Sequence, residues 1–98
     1  MIVCQYDDEE NQFKKLDFQK ETGLYSLLNP DSIFMFIDPL RYRVWIWYGK
    51  NATSKMKLLS AKIAPRIRDR YAFAFKLASV EEGNEPKDFK LMIGLEKT

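Results

Sequence analysis

The apolar positions of this chain change their spacing several times, and each change marks an element. Residues 2–6, IVCQY, form a short β-prone run that closes in the acidic turn Asp7-Asp8-Glu9-Glu10-Asn11. Phe13, Leu16 and Phe18 then space out a second, weaker strand. The stretch KETGLYSLLNPDS (20–32) is punctuated by Gly23, Asn29, Pro30 and Asp31 and reads as a connection with a turn at its end. SIFMFID (32–38) is almost continuously apolar, the pattern of a strand covered on both faces. Asp38-Pro39 begins a turn, YRVWIWYG (42–49) is the next strand, and the two runs pair as a central hairpin. Alternation sends Val44, Ile46 and Tyr48 to one face and Trp45 and Trp47 to the other. Neither set is polar, so both faces need cover, which calls for helices on both sides of the sheet.

The period switches after Gly49. Thr53 or Ser54 can cap a helix that runs to about Arg70. At 100° per residue, Met56, Leu59, Ile63 and Ile67 fall on one stripe with Ser60 and Ala64 beside them, the face expected on the sheet. The opposite face holds Leu58, Ala61 and Pro65, flanked by Lys62 and Asp69. One exposed leucine is ordinary. Here it stands on a smooth, nearly uncharged ridge that would suit a partner's groove. Pro65 removes a backbone donor and predicts a bend near Ala61. Beyond the helix, YAFAFKLASV (71–80) alternates Tyr71, Phe73, Phe75 and Leu77 against small residues and reads as a strand. Pro86 then opens a short helix with Phe89, Met92 and Ile93 on one side, closed by Gly94, a cover for the second face. No repeat or linker interrupts the 98 residues, so residues 1–98 are expected to form one domain.

Composition narrows the chemistry. The chain is 46% hydrophobic and 31% charged, a globular balance, and its net charge of +2 is too small to argue for a nucleic-acid partner. A lone Cys4 excludes an internal disulfide, and the absence of histidine removes the commonest general base and metal ligand. No glycine loop cradles phosphate and no nucleophile–base pairing stands out, so neither an enzyme nor a cofactor is expected. No apolar run is long enough to span a bilayer, and the acidic start resembles no signal peptide, which points to the cytoplasm. For the same reason the match of Asn51-Ala52-Thr53 to a glycosylation acceptor is read as empty. The acidic run at 7–10 matches no calcium loop and reads as a solvated turn. Residues 55–70 carry six basic side chains against one acid. Such a face can meet an acidic protein surface, phosphoinositide headgroups or nucleic acid, or simply be the wet side of a helix.

LNPDSIFMFID (28–38), VWIWYGKNAT (44–53), the long helix and VEEGNEP (80–86) together resemble the gelsolin/villin repeat. That pattern runs as a leucine-asparagine turn, Asp, an apolar strand, a strand ending W-x-G, a helix, and E-G-x-E-P. The resemblance covers about residues 27–93, and a free-standing chain of this length resembles the single-domain members of Asgard archaea. It implies an α+β fold: a five-stranded mixed sheet between one long and one short helix, as the patterning suggested independently. It also implies actin binding, with the outer face of the long helix entering an apolar cleft on actin. Carried over, that face is Lys55, Leu58, Ala61, Lys62, Pro65 and Arg66. The family's calcium site takes a backbone carbonyl, the Asp after it and a Glu in the first helical turn. Here Pro30 and Asp31 match the first two, but the Glu position falls on Met56, whose thioether is a poor ligand for a hard cation. The site is expected to be degenerate, with no metal held.

Three functions compete on this reading. The first is a calcium-independent actin-binding module that sequesters monomers or caps weakly. The second is an interaction module of the same fold that does not bind actin, as in vesicle-coat proteins. The third, nucleic-acid binding through the basic helix, ranks last because the net charge is small.

Overall fold

The computed structural model describes residues 1–18 and 23–96. Strands β1 (Ile2–Asp7), β2 (Gln12–Lys15), β3 (Ile33–Asp38), β4 (Arg43–Tyr48) and β5 (Lys76–Glu81) form one sheet in the order β2-β1-β3-β4-β5. All neighbours are antiparallel except β4 and β5, which run parallel and pair Arg43 with Lys76 through Tyr48 with Glu81. The connection between those two strands contains the long helix α1 (Ser54–Tyr71), and the short helix α2 (Lys87–Ile93) follows β5. The central hairpin is as the sequence suggests, with Phe36 opposite Trp45 and Ile33 opposite Tyr48.

Two cores follow from the period-2 alternation. Val44, Ile46 and Tyr48 join Ile33, Met35 and Ile37 under α1, where Met56, Leu59, Ile63 and Ile67 pack and Ser60 and Ala64 are sealed. Trp45, Trp47, Phe34 and Phe36 face the other way, against Phe89 and Ile93 of α2. Phe89 touches Phe36 and Trp45 edge to face at 5.8 and 5.5 Å, so the short helix is held by aromatic contacts. Each large side chain sealed this way contributes about 1.5–3 kcal/mol. That explains why β3 and β4, apolar on both faces, occupy the middle of the sheet. α1 begins with the Thr53 hydroxyl accepting from the Met56 amide at 3.1 Å and continues as one helix through Pro65. α2 ends at Gly94, whose φ of 87° is the left-handed cap that glycine adopts at little cost.

Three expectations need correction or bounding. The strand expected from Tyr71 begins only at Lys76: α1 keeps Tyr71, and residues 72–75 turn through Ala74 at φ 72°. The second strand ends at Lys15, and while Phe13 packs in the core under α1, Leu16 and Phe18 pack on the α2 side. In the connection read over 20–32, residues 20–22 lie outside the described residues, and the remainder contains a 3-10 turn at Leu24–Leu27. Among the described residues, no helix is long and apolar enough to cross a membrane.

Candidate functional site

The outer stripe of α1 follows from the inner one being turned to the sheet. With Met56, Leu59, Ser60, Ile63, Ala64 and Ile67 turned to the sheet, helical geometry leaves Lys55, Leu58, Ala61, Lys62 and Arg66 exposed and Pro65 half-buried. Leu58 is 58% exposed and has charged lysines one turn to either side, Lys55 and Lys62. Ala61 leads from this ridge into a groove of about 260 Å³ between the helix and β4–β5, floored by Ile46 and Tyr48 and edged by Leu77 and Ser79. The flank toward β5 is tied down: Lys57 Nζ lies 3.2 Å from Glu81 Oε2 and 6.0 Å from the centre of the Tyr48 ring. The six positions singled out from the sequence therefore share one helix face.

The strand–helix corner that precedes α1 is a tight backbone junction. A Cβ on Gly49 would sit 2.2 Å from the Pro30 carbonyl oxygen, so only glycine allows this approach. The Gly49 amide donates to the Ser32 carbonyl and the Asn51 amide to the Pro30 carbonyl, each at 2.9 Å. Asn51 Nδ2 also donates to Asp31 Oδ1 at 3.0 Å, and the Asp31 amide donates to the Asn29 side chain at 2.9 Å. The carbonyl and carboxylate that the resemblance offered to a metal thus already accept hydrogen bonds from Asn51. Sequence reading missed this strap because the partners are 20 residues apart and nothing local signals the pairing.

Asp31 and Met56 both line an open cleft of about 510 Å³, along with Tyr6, Asp7, Asp8 and Lys14. The acidic run there is a turn stabilised by its own residues. Asp7 Oδ1 accepts from the amides of Glu9 and Glu10, and Lys14 Nζ bridges Asp7 and Glu10 at 3.0 Å each. The Lys14 hydrogen bond, helped by the turn amides, holds the Asp7 carboxyl below its ordinary 3.8. Among the described residues, no group of three or more His, Cys, Asp or Glu is placed to hold a metal ion. Burial pushes the Cys4 thiol above its ordinary 9.0, which leaves it a packed side chain with little thiolate character.

A mixed sheet with one parallel edge, sandwiched between a long and a short helix, is the gelsolin-like fold. Solved structures agree along nearly the whole chain. ProGel of Thorarchaeota, crystallised as a complex with rabbit actin, superposes with a TM-score of 0.77 at 20% identity, covering 96% of this chain and all of that one. Thorarchaeota 2DGel3, also in complex with rabbit actin, gives 0.65 at 23% identity over 90% of this chain, which spans only 42% of that protein. No protein-family model and no curated protein matches the sequence.

Proposed function

We propose that this chain is a single gelsolin-like domain that binds actin through the outer face of α1. Leu58, Ala61 and Pro65 enter an apolar cleft of the actin monomer, while Lys55, Lys62 and Arg66 meet its rim. The observation that carries the reading is Leu58, a large apolar side chain 58% exposed in the second turn of a helix whose opposite face packs on the sheet. It is supported by the fold's likeness, over full length, to a protein captured on rabbit actin. One domain holds one actin surface, so sequestration of monomers or weak capping is the consequence, with no covalent step. Calcium takes no part, because Asn51 already engages Asp31 and the Pro30 carbonyl and Met56 brings no oxygen. The place of work is the cytoplasm, where actin is.

Pyrene-actin assembly at increasing amounts of the chain tests this, with calcium and with chelator. The expected result is a dose-dependent loss of polymer, the same in both conditions. Leu58→Glu would bury an unpaired charge in the contact and should weaken binding by several kcal/mol. Its stability should stay within about 0.5 kcal/mol of the natural chain, since the side chain faces water. A folded L58E variant that binds normally removes the helix from the contact. A natural chain that leaves assembly untouched is instead an interaction module of the vesicle-coat kind.

A further inference from the structure

Among the described residues the sheet has two edges, and they are built differently. β2 closes one side with a short strand that ends in Lys14 and Lys15, and lysines on an edge discourage pairing with another chain. β5 closes the other side, and Leu77, Ala78, Ser79 and Val80 run through its middle with no charge, proline or bulge. The parallel ladder fixes which backbone groups this edge offers. The Lys76 amide donates to the Tyr42 carbonyl at 3.3 Å and the Glu82 amide to the Tyr48 carbonyl at 2.9 Å. Even-numbered residues from 76 to 82 therefore turn their backbone groups to β4, and Leu77, Ser79 and Glu81 turn theirs outward. Of those outward groups only the Glu81 carbonyl has a backbone partner among the described residues, the Asn84 amide at 3.0 Å.

The side chains of this edge complement themselves. Lys76 and Glu82 stand at equal distances on either side of Ser79, and neither belongs to an ion pair among the described residues. Glu82 Oε1 accepts from the Lys50 amide at 2.9 Å, which leaves Oε2 for a second donor. Lys76 and Ser79 are exposed, and Ala78 and Val80 pack on the α2 side of the sheet.

We propose that two copies of this chain pair through β5, antiparallel about a two-fold axis that passes Ser79 perpendicular to the sheet. Such a ladder forms only where outward residues oppose outward residues. Ser79 then meets its copy, and Leu77 meets Glu81, whose carboxylate is held toward Lys57 at 3.2 Å. Ala78 faces Val80 between them, and Lys76 faces Glu82 at both ends. Centring one residue earlier would set Lys76 against Val80 and leave Glu82 without a cation. The axis keeps α1 on the same face in both copies, so a pair carries two Leu58 ridges. That consequence rests on the actin reading; the pairing does not.

Edge pairing alone is a small interface, so the association is weak, and sedimentation of the chain without actin from about 5 to 500 μM tests it. The average mass should climb from monomer toward dimer over that range. Ser79→Lys sets like charges against each other on the axis, and Lys76→Glu sets carboxylates against Glu82. Each should weaken pairing about tenfold, with the melting temperature of the dilute chain unchanged because both side chains are exposed. Hydrogen exchange adds a test of register. In concentrated solution it should slow at the Leu77, Ser79 and Glu81 amides and stay as it was at Ala78 and Val80. A chain that remains monomeric throughout overturns the proposal. A dimer indifferent to both variants, or one that leaves the outward amides as exchangeable as before, has its contact elsewhere and overturns it equally.

Discussion

Trp45 and Trp47 stand two apart on the same face of β4, both nearly sealed, yet their indole N–H groups have different fates. Trp47 Nε1 donates to Glu85 Oε2 at 3.1 Å, while Trp45 Nε1 has no partner among the described residues. A buried donor left unpaired costs about 1–3 kcal/mol. Replacing either tryptophan by phenylalanine keeps an aromatic ring and loses volume. Only W47F also breaks a hydrogen bond, whereas W45F removes an unpaired donor. W47F should therefore destabilise more than W45F by about 1 kcal/mol, read from urea midpoints at constant slope. Equal losses would mean that the Trp45 N–H has a partner after all, a buried water being the simplest.

At the scale of elements, the corner between β4 and α1 decides how the fold treats calcium. Asp31 and Met56 face the same cleft, and the Thr53 cap leaves the position three residues on open to a reciprocal partner. Met56→Glu adds a carboxylate there, completes a capping box and places negative charge near the positive end of the helix. The variant should keep the fold, and its melting temperature should rise with calcium through binding to the native state alone. The natural chain should show no rise over the same range. A flat response from the variant would mean that the Asn51 strap outcompetes the ion for Asp31. The inward and outward stripes of α1 were legible beforehand because a period of 3.6 sustained over 18 residues has no rival interpretation. The short helix was legible from its Pro86 and Gly94 boundaries. Tyr71, Phe73 and Phe75 misled because their spacing of two mimics a strand, while the left-handed Ala74 that breaks it is announced by no residue type. The same false alternation hid the exposure of Phe73, and the Asn51 strap needed the folded corner to exist.

For the molecule as a whole, the order of the strands says more than their content. Every pairing but one is antiparallel, and β3 with β4 joins the chain across only four residues, 39–42. β5 reaches β4 only after the whole of α1 has been laid down between them, and of its six residues only Val80 is buried. Its other edge pairs with no strand among the described residues. Closing that long connection is slow relative to closing a hairpin. The central hairpin is therefore expected to close before the β4–β5 seam. Native-state hydrogen exchange should show the β5 amides released in openings that leave β3 protected, whereas equal protection of the two strands would mean that the sheet opens only as one. Lys57 on α1 meets Glu81 on that seam, so each such opening removes one exposed tie from the helix that carries Leu58. The dwell of anything held on that helix is therefore set by its own contacts far more than by how often that strand lets go.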